Sequence, residues 1–226
     1  MSFKGRLISE PSSDLTGEGS TLYAGNTNSI IRFQSMISKV IVEFKGFITD
    51  MSDKFTSNWD SENVYGRMDP IGTFKNTQRS ISLSWTIPAA SIEEAKSNFG
   101  AIRDLTSMLY PAYSANKVNL KDKTSYTTAN SLSKPPLLRL RYANLINNAN
   151  PSDDQESSEG LLGWVDGFEV TPTLDMGFFI EGTNQFPKVY TMSCNFNVLH
   201  EHDLGFDSSG EWLGNNPEKF PFGGEE

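Results

Sequence analysis

Ile81, Leu83, Trp85 and Ile87 alternate without a break with Ser80, Ser82, Ser84 and Thr86. A period of two predicts a half-buried strand over residues 78–87, with one apolar face and one small, hydroxylated face. Residues 36–49 show a looser version, with Val40, Val42, Phe44 and Gly46 on one side and Ile41, Glu43 and Lys45 on the other. In residues 187–199, Tyr190, Met192, Cys194, Phe196 and Val198 oppose Val189, Thr191, Ser193, Asn195 and Asn197. Residues 135–146 and 161–171 also read as strands, and 173–186, with Gly177, Gly182 and Phe178-Phe179, suit a turn and a short strand. Pro88 closes the first strand, and the period then changes. Ile92, Ala95, Phe99, Ile102, Leu105 and Leu109 fall on one side of a helix over 92–109. Ser91 and Glu94 form its capping box and Pro111 stops it. Gly100, in mid-helix at some cost, implies close packing there.

Elsewhere the periodicity lapses. Residues 1–28 are rich in Ser, Thr, Gly and Glu and read as a flexible arm, either mobile or ordered against a neighbouring subunit. Residues 50–77 read as a polar connection, and 115–134, with Lys117, Lys121, Lys123 and Lys134, as a long loop or extended hairpin. Residues 147–159 form an acidic loop. The tail from His200 carries Trp212, Phe220 and Phe222 without a period, so these aromatics dock on another chain or on the protein's own core. The organisation expected is an arm (1–28), one domain (29–199) and a tail that docks on a partner (200–226). The fold class is α+β, mainly β, with one amphipathic helix packed on the sheet as a second layer.

The whole chain has 226 residues and a formal net charge of −9. Sequence-specific duplex binding needs a basic stripe, so this is not a nucleic-acid reader. An acidic wall would instead repel phosphates and let DNA pass. One cysteine, Cys194, excludes an internal disulfide and reads as a buried, inert thiol. No apolar run follows Met1–Arg6 and none is long enough for a membrane span, so neither a signal peptide nor a membrane anchor is expected. Catalytic signals are missing. The two histidines stand in His200-Glu201-His202-Asp203, a poor metal set that suits a solvated strand end. Gly160-Leu161-Leu162-Gly163 lacks the lysine of a phosphate loop, and there is no nucleophile elbow. The acidic run Asp153, Asp154, Glu156, Glu159 lacks the spacing of a calcium loop. No enzyme activity and no cofactor are expected.

One segment is more specific. Val64-Tyr65-Gly66-Arg67-Met68-Asp69-Pro70 makes a tight, backbone-demanding link in which Gly66 permits unusual dihedrals, Asp69-Pro70 favours a turn, and Arg67 and Asp69 are placed to pair. Continuing through Ile71, with Thr77-Gln78-Arg79, Glu93-Glu94-Ala95-Lys96 and Tyr110-Pro111, it resembles the baseplate and tail-tube proteins of contractile-tailed phages, T4-like and marine, and most nearly their tube initiators. The resemblance covers residues 45–115 and is only in outline elsewhere. It implies a tail-tube-like β-sandwich or barrel with one flanking helix and long inter-subunit loops, assembled in the host cytoplasm into a virion. The partners implied are copies of itself in a hexameric ring, the baseplate hub and the tail tube, with DNA passing unbound. Tyr65, Gly66, Arg67, Asp69, Pro70, Trp212 and Phe220 are then candidate inter-subunit residues. Ser80, Ser82, Ser84 and Thr86 are candidates to line the lumen. Residues 50–77 and 114–134 would reach across to neighbours. The alternatives are another tail component, such as a terminator or connector, or a carbohydrate-binding or enzymatic module.

Overall fold

The computed structural model describes residues 30–45, 47–114, 117–119, 125–127, 131–147, 160–213 and 221. The expected arm at 1–28, most of the acidic loop, and Phe220 and Phe222 lie outside these residues.

The chain is mainly β with one helix, as the alternation predicts. Strands β1 (Ile30–Ser35), β2 (Ile41–Lys45), β3 (Phe47–Glu62), β4 (Ile71–Pro88), β9 (Leu138–Tyr142), β10 (Leu161–Pro172) and β13 (Val189–Val198) build one antiparallel sheet in the order β2-β1-β9-β10-β13-β4-β3. Only residue 46 separates β2 from β3, the two ends of that order. A single pass of chain, 41–62, therefore pairs with β1 at its start and with β4 beyond it. The sheet is thereby rolled around its own core. Phe33 on β1 and Phe44 on β2 meet Trp85 on β4, each with ring centroids 5.9 Å away, although those strands stand far apart in the order. These three rings are fully buried, with Ile81, Leu83, Ile87, Leu138, Leu140 and Phe196 beside them. Each such ring contributes roughly 2–3 kcal/mol by leaving water.

The wall is tightest at Gly163. A Cβ there would lie 2.1 Å from the Asn197 carbonyl oxygen and 2.8 Å from the Phe196 ring, so only glycine lets β10 and β13 approach. Two residues on, a bulge between Val165 and Phe168, with Gly167 at φ +81°, bends β10 and helps roll the sheet.

Helix α1 (Ile92–Met108) covers the core with Ala95, Leu105 and Met108. Its cap forms as expected: the Ser91 side chain accepts from the Glu94 N–H at 3.3 Å, and the Glu94 carboxylate accepts from the Ala90 N–H at 2.8 Å. Two expectations fail. Phe99 is half exposed, turned off the core stripe to meet Phe186 edge-on at 5.9 Å. Gly100 has open space where a Cβ would stand, so close packing is not its reason for being there.

Residues 36–49 do not form one strand. Residues 36–38 turn, with Lys39 at φ +58°, and the strand begins only at Ile41. From there the reading holds, with Val42 and Phe44 buried and Ile41 exposed. Within 112–134 the described strands pair in hairpin fashion: β5 (Ala112–Ser114) with β8 (Ser131–Lys134), and β6 (Lys117–Asn119) with β7 (Ser125–Thr127). Residues 173–187 hold a 3-10 turn at Leu174–Met176 and a hairpin of β11 (Phe178–Glu181) and β12 (Asn184–Pro187).

Candidate assembly surface

The segment expected to be a polar connection is the largest departure. Residues 50–77 are not a loop: β3 and β4 pair continuously from Phe47↔Thr86 to Glu62↔Ile71, with two register shifts. The last pair tying β4 to β13 is Asn197↔Ser80. Beyond it the β3–β4 hairpin leaves the seven-stranded sheet as a two-stranded arm, eight residues of β3 against nine of β4, about 30 Å at strand rise. Residues 71–78 are exposed throughout. Among the described residues neither strand of the arm has a second neighbour, so each presents an open backbone edge there.

Apolar side chains stand on this arm in water. Trp59 is 61% exposed and Phe74 51%, and they meet edge-on with centroids 5.2 Å apart. Asn58 donates to the Asn76 side chain at 2.8 Å, Trp59 Nε1 donates to Ser57 Oγ at 2.9 Å, and Lys75 pairs with Asp60 at 2.6 Å. The contacts that cross between the two strands, Trp59–Phe74, Asn58–Asn76 and Asp60–Lys75, hold an isolated ribbon in register. The tip is the tight link expected at 64–70. Gly66 takes φ +85°, the Arg67 N–H closes a turn on the Val64 carbonyl at 3.2 Å, and Tyr65 and Met68 are fully exposed. Arg67 and Asp69 make no ion pair with each other among the described residues, which leaves both charges at the surface with Pro70.

The arm is anchored at its base by a charge pair that the sequence reading missed. Arg79 continues the buried row of Ile81, Leu83, Trp85 and Ile87, and its side chain is almost wholly enclosed. Arg79 Nη2 donates to Asp53 Oδ2 at 2.7 Å, while Nε donates to both carboxylate oxygens at 3.1 Å. The Phe55 ring lies 5.2 Å from the guanidinium carbon, and the Pro221 carbonyl accepts from Nη2 at 3.4 Å. Pro221 thus stands at the root of the arm. Partial burial, and then the Arg79 cation, hold the His200 pKa below its ordinary 6.5. The signal available in the sequence was a charge in step with an apolar row, which demands a buried counterion.

The tail is not simply a solvated strand end either. Glu201 is drawn onto Arg139, with contacts of 2.6 and 2.9 Å, and Arg139 also donates to the Gly160 carbonyl at 3.2 Å. Trp212 bridges back to Phe206 in a tight turn, rings 5.2 Å apart, and is half-buried within its own chain. Ser80, Ser82, Ser84 and Thr86 lie half-exposed on the face turned away from the core. They stand beside Asn197, Asn195, Ser193 and Thr191 of β13, and Ser82 donates to Asn195 Oδ1 at 2.8 Å. Cys194 is buried on the core side, where burial pushes its thiol up to about 12. Among the described residues no group of three or more His, Cys, Asp or Glu is arranged to hold a metal, and no helix is long and apolar enough to cross a membrane.

No family model matches the chain, and no curated protein does. Among solved structures it is similar to the Dit (gp 19.1) protein of phage SPP1, described as a paradigm of the hub adsorption apparatus in phages infecting Gram-positive bacteria. That likeness has a TM-score of 0.34 at 8% identity over 77% of this chain. The chain spans 52% of that protein's length.

Proposed function

We propose that the chain is a structural, non-catalytic subunit of a contractile phage tail. Copies of it form a ring at the junction of baseplate and tail tube, and that ring initiates or continues the tube through which DNA passes. The observation that carries this reading is the arm: a preformed ribbon with open edges and exposed Trp59, Phe74, Tyr65 and Met68 has no use inside a solitary molecule. Exposed apolar surface of this kind marks a protein contact, and a ribbon fixed before it binds loses little entropy on docking. The segment that supplies the arm and its tip is also the one that resembles tube initiators. The hydroxyl and amide row of β4 and β13 gives a wall that wets without gripping phosphates, in keeping with the acidic total charge. The ring is hexameric in this reading, with the hub on one side and the tube on the other.

The test is sedimentation of the full chain over a wide concentration range, with negative-stain electron microscopy of what forms. Rings with an open centre are expected. A strict monomer that binds a glycan or turns over a substrate would replace this reading with that of a binding or enzymatic module.

A further inference from the structure

The arm has a counterpart at the far end of the barrel. The register places Ser80, Val198 and Gly163 at the end from which the arm leaves, and Pro88, Val189 and Pro172 at the other. The 3-10 turn and the β11–β12 hairpin sit at that second end, tied down where the Thr173 N–H donates to Val189 at 2.9 Å and the Ala89 N–H to Lys188 at 2.7 Å. This platform also exposes large apolar side chains, namely Leu174, Met176 and Ile180. Phe186 against Phe99 and the Lys96–Glu181 ion pair hold it on α1. Residues 80–88 of β4 separate the two projections by about 25 Å at strand rise, and the arm continues away from the platform. One molecule cannot cover both.

Resting on the ring reading above, we propose that the arm of one copy docks on the 174–180 platform of the next. The contact is head-to-tail, and repetition of such a contact closes a ring when its rotation allows. Charge argues for a second copy as the occupant. The chain as a whole carries −9, so two copies repel in a general orientation. Residues 53–79 are neutral: Asp53, Asp60, Glu62 and Asp69 are balanced by Lys54, Arg67, Lys75 and Arg79, four against four. Residues 174–180 hold a single charge, Asp175. The two projections can thus meet without adding to the repulsion between copies, and each copy has one of each.

Two variants test the proposal. Trp59→Ser/Phe74→Ser removes the arm's rings, and Met176→Ser/Ile180→Ser removes the platform's apolar face. All four side chains lie outside the core, so both proteins should keep the wild-type far-UV circular dichroism and a near wild-type thermal midpoint. In sedimentation velocity each variant alone is expected to lose self-association by at least about tenfold, since large buried apolar groups dominate contact energy. Mixed at equal concentration they should form a 1:1 dimer and nothing larger, because only one intact arm and one intact platform remain in the mixture. A platform variant that assembles like wild type, or a mixture that stays monomeric when both variants alone have lost association, would overturn the arm–platform contact and leave the ring reading standing. Wild-type protein that remains monomeric up to about 1 mM, where even a millimolar contact would register, would overturn the ring reading itself.

Discussion

At the scale of single residues, the packing of the large sheet depends on sites where nothing else fits. Gly163→Ala drives a methyl group into the Asn197 carbonyl and the Phe196 ring. A backbone oxygen cannot step aside as a side-chain end can, so the loss should reach about 3 kcal/mol, the upper part of the overpacking range, in urea unfolding. Asp53→Asn tests the root of the arm. It leaves the Arg79 guanidinium enclosed without its counterion and should cost roughly 3–5 kcal/mol, whereas replacing both partners by apolar residues of similar volume should cost far less. Losses that simply add, with the double variant costing the sum of the two single ones, would mean that the pair is not coupled. His200 adds a pH dependence. Its folded pKa is depressed, so between that value and 6.5 the unfolded chain binds the extra proton. The contribution is fully present above about 6.5 and is lost as pH falls below it. Wild-type Tm should therefore fall more between about pH 7.5 and pH 5.5 than the Tm of His200→Asn.

At the scale of elements, the arm is an appendage rather than a part of the core. Joining residue 56 to its cross-strand partner, residue 78, through an Asn-Gly turn, which suits a two-residue hairpin, would remove the exposed ribbon while keeping every fully buried ring. The shortened chain should fold with a thermal midpoint within about 4 °C of wild type, a shift equivalent to about 1–2 kcal/mol at this size, and should not self-associate. A collapse in stability would mean that the arm supports the barrel. The same independence explains why the arm was hidden in the sequence. Period-two alternation records one face against a core and one against water. Residues 81–87 have such a core, so the strand was legible to the residue. Most of residues 55–77 stand in water on both faces, and their paired strands carry no alternation to read. Ile30–Ser35 offers only Ile31 and Phe33 on the core face, too few to declare a period. The helix was legible because its stripe, cap and stop agree. Phe99 departs from the stripe because Phe186, distant in sequence, offers it a better face. Of the proposed assembly surface, the tip at 64–70 stood out through Gly66 and Asp69-Pro70. The platform did not, since apolar residues on a short hairpin look alike whether they face a core or a partner.

At the scale of the whole molecule, the sign of a salt effect separates two kinds of contact. A ring held by opposite charges weakens as salt screens them, because the Debye length falls to about 8 Å near physiological ionic strength. The contact argued for here is apolar and neutral, and it forms between bodies that each carry −9. Screening then removes repulsion between the bodies and takes nothing from the contact. Self-association measured by sedimentation should strengthen severalfold as sodium chloride rises from about 20 mM to about 150 mM. The arm-less chain should show no association at either salt concentration. Weakening with salt would instead place charge pairs at the centre of the interface, and the exposed Arg67 and Asp69 of the arm tip would then be the first residues to substitute.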